Sequence, residues 1–125
     1  MRELRACHKT GHWIWFVFPQ IAGLGLSAKN VRYSIKSTEE ARAYLAHETL
    51  GPRLRECAAL LLACAASRAD EILDPPDDRK LRSSMTLFHR AGPDEPLFQQ
   101  VVDRYFAGQP DARTDSILDT LRRSA

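Results

Sequence analysis

Apolar residues recur along most of this chain at the three- and four-residue steps of helices buried on one face. The pattern is clearest from residue 37 onward. Ser37-x-x-Glu40 is a capping box, and the helix it opens carries Ala41, Tyr44 and Leu45 at helical spacing before ending near His47. Gly51-Pro52 begins a second helix, since proline is tolerated in a first turn. Leu54, Cys57, Ala58, Leu61, Leu62 and Ala65 follow, and the apolar run 60–62 predicts that this helix is the central one. A short helix over 69–73 stops at Pro75-Pro76. Asp77 is the expected N-cap of the next helix, in which Leu81, Ser84, Met85 and Phe88 share one face and Gly92-Pro93 closes the run. Asp94 is the expected cap of a helix striped by Phe98, Val101, Val102 and Tyr105 and ended by Gly108 and Pro110. Asp111 opens the last helix, with Ile117, Leu118 and Leu121 expected inward.

The first third is less regular. Residues 1–8 read as the end of a helix. Trp13-Ile14-Trp15-Phe16-Val17-Phe18 is apolar throughout, so periodicity does not separate a buried helix from a buried strand there. Phe18 precedes Pro19 and is pushed out of the α region. Gly23-Leu24-Gly25-Leu26-Ser27 is a loop, and residues 31–35 are either a short strand or irregular. These elements predict an all-α fold: a compact single-domain bundle of five to six short helices, with an irregular glycine-containing loop after the tryptophan-rich segment.

Composition narrows the setting. The 125 residues suit one domain able to fold without disulfide or metal. With 44% hydrophobic and 27% charged residues the balance is globular. The net charge of +2, from 18 basic and 16 acidic side chains, is too even to point to nucleic acid or an anionic membrane. Arg79, Lys80 and Arg82 cluster, but Asp77 and Asp78 adjoin them. Cys7, Cys57 and Cys64 are few, odd in number and without a CxxC, so neither a disulfide framework nor structural zinc is suggested, and Cys57 and Cys64 read as small buried hydrophobes. The opening residues lack the apolar core of a signal peptide, and the longest apolar run falls far short of the roughly 20 residues of a membrane span. A soluble cytoplasmic protein is the expectation, with no cofactor and no metal site.

Three groups of residues offer chemistry, each with a plainer alternative. In Lys9-x-x-His12-Trp13-x-Trp15, an indole can stack on a ring-bearing ligand while His12 or Lys9 meets its charge; equally, both tryptophans can be core. Pro19-Gln20 leads into Gly23-x-Gly25, whose backbone N–H groups can approach a phosphate, although a GxG lacking a preceding strand is also an ordinary loop. In Lys80-x-x-Ser83-Ser84-Met85-Thr86, Lys80 and Ser84 stand one turn apart on one side of a helix. The order is the reverse of the Ser-x-x-Lys of acyl-transfer enzymes. These hydroxyls either bond to carbonyls one turn back or line a polar pocket, and three of them cost helix propensity relative to alanine. His8 and His12 form no HExxH, and no serine lies in GxSxG. His47 and His89 sit near helix C-termini, where a cation is favoured.

The run Lys9-Thr-Gly-His-Trp-Ile-Trp-Phe-Val-Phe-Pro-Gln20, followed by Gly23-Leu24-Gly25, resembles the opening signature of a mainly bacterial domain-of-unknown-function family, number 1810. The likeness continues through Glu40-Ala41-Arg42-Ala43-Tyr44-Leu45, Leu50-Gly51-x-Arg53-Leu54-x-x-Cys57 and Asp77-Asp78-x-Lys80-Leu81-x-Ser83-Ser84-Met85-Thr86-Leu87-Phe88, and ends near Tyr105-Phe106-x-Gly108-x-x-Asp111. The resemblance implies a compact all-α fold and no established activity. Members often carry the label calpastatin, after a calpain inhibitor; such inhibitors are disordered chains, whereas caps and stops run throughout this one. Members also carry a helical stretch before the position of Met1, which implies that the first helix here is incomplete. Losing about four buried apolar side chains, at roughly 1.5–3 kcal/mol each, predicts marginal stability or an upstream start. A fainter likeness, through the tryptophan segment and the lysine–serine helix, is to the NADAR N-glycosidases, without their acidic motif.

Two readings of function follow. One is a binding or interaction module with no chemistry of its own. The other is a small enzyme or ligand-binding domain for a nucleotide-like or ADP-ribose-type molecule, with Lys9, His12, Trp13, Trp15, Gln20, Lys80, Ser83 and Ser84 converging on one pocket.

Overall fold

The computed structural model describes residues 18–21, 35–64 and 77–124. The elements expected over 1–8, 23–27 and 69–73 lie outside the described residues. Within them run five α-helices: α1 (Thr38–Ala46), α2 (Leu50–Ala63), α3 (Asp77–Ala91), α4 (Leu97–Phe106) and α5 (Ala112–Ser124). No strand occurs among the described residues, where an isolated parallel bridge joins Ile21 to Ile35 and the Ile35 amide donates to the Gln20 carbonyl at 2.7 Å. The all-α expectation holds.

Local chemistry explains most helix ends. The Ser37 hydroxyl accepts the Glu40 amide at 3.1 Å, while the Glu40 carboxylate reaches back to the Lys36 amide, one residue before the usual partner of a capping box. α2 begins at Thr49 without a side-chain cap of its own; the His47 ring replaces it, Nδ1 accepting both the Thr49 and Leu50 amides at 3.1 Å. His47 thus works as an acceptor for the following helix and not as a cation on the preceding one. The C-terminus of α2 is satisfied from α4: the Tyr105 hydroxyl donates to the Leu61 carbonyl and Arg104 Nη2 to the Cys64 carbonyl. Asp94 does not cap α4. It lies in a turn closed by the Glu95 amide on the Gly92 carbonyl, and Pro96 occupies the N-cap position. Asp111 does cap α5, its carboxylate accepting the Thr114 amide at 2.9 Å and the Thr114 hydroxyl at 2.6 Å.

At the end of α4 the left-handed position falls on Ala107, at φ 54°, one residue ahead of Gly108. Alanine pays a Cβ–carbonyl clash there that glycine does not. Ala107→Gly is therefore expected to stabilise the domain by up to about 1 kcal/mol, after the larger chain entropy of unfolded glycine is discounted. A raised urea midpoint at unchanged m-value is the result to look for.

Among the described helices α3, not α2, is the hub. It packs on α1, α4 and α5, whereas α2 packs on α1 and α4. From Leu81 to Phe88 every residue of α3 except Arg82 is buried. The core gathers Phe18, Ile21 and Ile35 with the inward stripe of α2 (Leu54, Cys57, Ala58, Leu61) and with Leu81, Met85, Phe88, Phe98, Val101 and Val102. Leu121, expected inward, is instead 40% exposed, while Leu118 one turn earlier is buried. Cys57 and Cys64 are both buried, as small apolar residues are.

Candidate functional site

The hydroxyl-rich stretch of α3 divides into used and unused groups. Ser83 turns its hydroxyl to the Arg79 carbonyl at 3.1 Å, the bond one turn back that buried helical serines favour. Thr86 donates to the Arg82 carbonyl at 2.8 Å and accepts the Asp111 amide at 2.9 Å, fastening the turn before α5 to α3. Ser84 differs. It is fully buried, and its hydroxyl has no hydrogen-bond partner among the described residues. Lys80, one turn earlier on the same side, is half-buried. What the Ser84 hydroxyl can do is exchange one strong hydrogen bond with a partner brought to it.

Of the other residues singled out in the sequence, Gln20 is described and buried, in the segment that pairs with Ile35. No hydrogen bond joins it to Ser83 or Ser84. Lys9, His12, Trp13 and Trp15 lie outside the described residues. The structure thus brings Lys80, Ser83 and Ser84 together on one helix and commits Ser83 to the helix itself.

A second polar region was not singled out in the sequence. Along one stripe of α3, Arg82 Nε donates to the Gln109 carbonyl at 2.8 Å with its guanidinium over the Phe106 ring, Thr86 holds the Asp111 amide, and Arg90 binds both oxygens of Asp115 at 2.8 and 3.0 Å. His89 belongs to this stripe. Its Nδ1 is buried and without a hydrogen-bond partner among the described residues. Burial, and then Arg90, hold its pKa below the ordinary histidine value, against the opposing pull of Asp103 and Asp115. Arg90 is pushed the other way, chiefly by its hydrogen bonds to Asp115.

Beside this seam lies a groove of about 680 Å³, walled by Ser37, Arg42, Arg90, Asp115, Leu118 and Leu121. Its charges are largely spent internally: Arg42 Nε on the Ala91 carbonyl and Arg90 on Asp115. No group of three His, Cys, Asp or Glu side chains among the described residues is placed to hold a metal ion. Likewise no helix among them is long and apolar enough to cross a membrane.

Residues 1–118 match a family described as "Protein of unknown function (DUF1810)". The chain is also similar to the crystal structure of the conserved hypothetical protein Rv1873 from Mycobacterium tuberculosis, at 52% identity and a TM-score of 0.92 over 94% of this chain and 84% of that one. No curated protein matches it.

Proposed function

Because the chain belongs to the DUF1810 family, which has no activity to lend it, we propose from its geometry that the domain is a binding module for a small polar molecule anchored by α3. The observation that carries this is the Ser84 hydroxyl, buried without a partner among the described residues while its neighbours Ser83 and Thr86 are satisfied. A hydroxyl left in that state costs about 1–3 kcal/mol, which a hydrogen-bonding guest or an internal water restores. Lys80, one turn away, supplies a positive charge, so the ligand class is one with a hydroxyl- or carbonyl-bearing body and an anionic group, as nucleotides and ADP-ribose compounds have. We place the domain in the cytoplasm, on the low cysteine density of the sequence.

The test is Ser84→Ala in a thermal-shift panel of AMP, ADP, NAD and ADP-ribose. Without ligand, alanine removes an unpaired polar atom and improves helix propensity, so the variant is expected to be more stable by about 1–2 kcal/mol. That corresponds to a melting temperature raised by roughly 3–10 °C. With ligand, the shift seen for the wild type should shrink, and Lys80→Ala should weaken it too. Silence of the wild type across the panel, or a shift equal in all three proteins, overturns the reading. So does an unliganded Ser84→Ala that is less stable than the wild type, since the hydroxyl would then already be satisfied.

A further inference from the structure

We propose that His47 is a pH-operated hinge pin between α1 and α2: its neutral ring caps α2, and a proton on that ring opens the corner.

The case rests on the bonds that meet at this one residue. His47 ends α1, its own amide donating to the Tyr44 carbonyl at 3.2 Å. Three successive amides at the start of α2 then come back to it. Thr49 and Leu50 both donate to the ring Nδ1 at 3.1 Å, and Gly51 donates to the His47 carbonyl at 3.1 Å. Thr49, at the N-cap position, makes no side-chain cap that could stand in for the ring. The first turn of α2 therefore depends on a lone pair that only the neutral imidazole has. With Nδ1 as acceptor, the ring proton is on Nε2. An imidazolium carries N–H on both nitrogens, so protonation turns the acceptor into a donor aimed at two other donors. The ring must then swing out, and two amides at the helix start lose their cap.

Charge at the corner does not offset this. Among the described residues no carboxylate forms an ion pair with His47. α1 carries its acids, Glu39 and Glu40, in its first turn, away from this end. Glu48, next along the chain, and Glu56 on α2 are exposed, where attraction is screened, and the exposed Arg53 on α2 opposes them. Glu95, from the α3–α4 turn, is held by Arg55 at 2.6 Å. The helix ends oppose each other as well: the C-terminus of α1 favours a cation and the N-terminus of α2 disfavours one, so the hydrogen bonds decide.

The corner holds more than one cap. The Leu45 carbonyl, two residues before His47, accepts Arg55 Nη1 at 3.1 Å and lies against Gly51. Leu45, Arg55 and Glu95 border a shallow depression of about 730 Å³, so release of the cap loosens one of its walls.

The sign follows from the proton count. The closed corner holds no proton on Nδ1, and the open one takes one up in the ordinary histidine range. Acid therefore opens the corner, and closure is complete above that range.

Urea unfolding of the wild type, His47→Asn and His47→Ala at about pH 7.5 and about pH 5 tests the hinge. Comparing the three at each pH removes the contribution of titrating groups common to all. Asparagine keeps a cap acceptor that does not titrate, and alanine has none. At the higher pH the folding constants of the wild type and His47→Asn should exceed that of His47→Ala on the order of fivefold, the effect of a lost cap. At the lower pH the wild type should fall to within about twofold of His47→Ala, while His47→Asn keeps its lead. A wild-type lead over His47→Ala that is absent at the higher pH, or equal at both, overturns the proposal. So does a His47→Asn lead that vanishes together with that of the wild type. Should His47→Ala not fold, long-range proton–nitrogen NMR of the wild-type ring at about pH 7.5 decides: a proton on Nε2 supports the hinge, and one on Nδ1 overturns it.

Discussion

Gly51→Ala should be among the most damaging single-methyl additions this chain can receive. A Cβ there would overlap the Leu45 carbonyl oxygen and come within 2.9 Å of Arg55 Nη1 and 3.0 Å of the Leu45 carbonyl carbon. Two of those three atoms are backbone and cannot rotate away. The third belongs to a guanidinium already bonded to that same carbonyl at 3.1 Å and held by both oxygens of Glu95 at 2.6 and 3.3 Å. Making room means separating the end of α1 from the start of α2 and breaking the bridge that Arg55 forms between them. Overpacking of about 1–3 kcal/mol and loss of a charged hydrogen bond of about 1.5–3 kcal/mol add to roughly 2.5–6 kcal/mol. That is a large share of the 5–15 kcal/mol typical of a domain. Helix propensity pulls the other way, since alanine in a helix is preferred to glycine by up to about 1 kcal/mol. A urea midpoint at or above that of the wild type would show that the helices separate freely. Gly92→Ala is the control: its Cβ meets Leu45 Cδ1 at 3.2 Å, a methyl that can turn aside, so its cost should be well under that of Gly51→Ala.

Gly51 also marks where sequence reading stops. A glycine before proline was legible as the opening of a helix, and α2 does open there. That the glycine is needed for a close approach of α1 follows from packing between distant segments, which no local pattern records. The same division runs through the fold. Capping chemistry at Ser37 and Asp111 and the apolar stripes of α2, α3 and α4 were readable because they are local. The identity of the central helix was not. Leu60 and Leu62 make α2 look the more buried, yet both are only half-buried, whereas α3 hides Ser83, Ser84 and Thr86 in the interior. Polar side chains that bond to their own helix go inside at little cost, and their letters give no sign of it.

The candidate site was legible to the same partial extent. The excess of hydroxyls beside Lys80 drew notice because it lowers helix propensity, and Ser84 within it is the group left unpaired. Which of the hydroxyls is unpaired depends on rotamers and neighbours: Ser83, equal to Ser84 in sequence, gives its proton to the Arg79 carbonyl. His89 was passed over because its place near a helix end gave it a sufficient explanation. Its pKa is nonetheless lowered, first by burial and then by Arg90, neither of which its distance from the helix end records.

Phe88→Ala should produce the second large loss, about 3–5 kcal/mol. The ring is fully buried, with Tyr44 of α1 at 5.3 Å between centroids and Phe98 of α4 at 5.9 Å, both tilted near 40°. It is the side chain through which the central helix meets two of its neighbours at once. Its removal leaves a void that neither partner fills without moving its own helix. For a chain of this length the expected fall in melting temperature is on the order of 10–20 °C. Phe88→Leu keeps most of the volume and should cost far less. A double-mutant cycle with Phe98→Ala should return a coupling of about 0.5–1.5 kcal/mol, the surplus of a tilted ring pair over its buried area. A loss below about 1 kcal/mol for Phe88→Ala would mean that the three rings do not hold these helices together. The variant also separates stability from recognition. Phe88 lies one turn beyond Ser84, so Phe88→Leu, folded but weakened, should keep the ligand-induced shift that Ser84→Ala loses. If both lose it equally, the hydroxyl has no special part in binding, and packing of α3 alone governs the response.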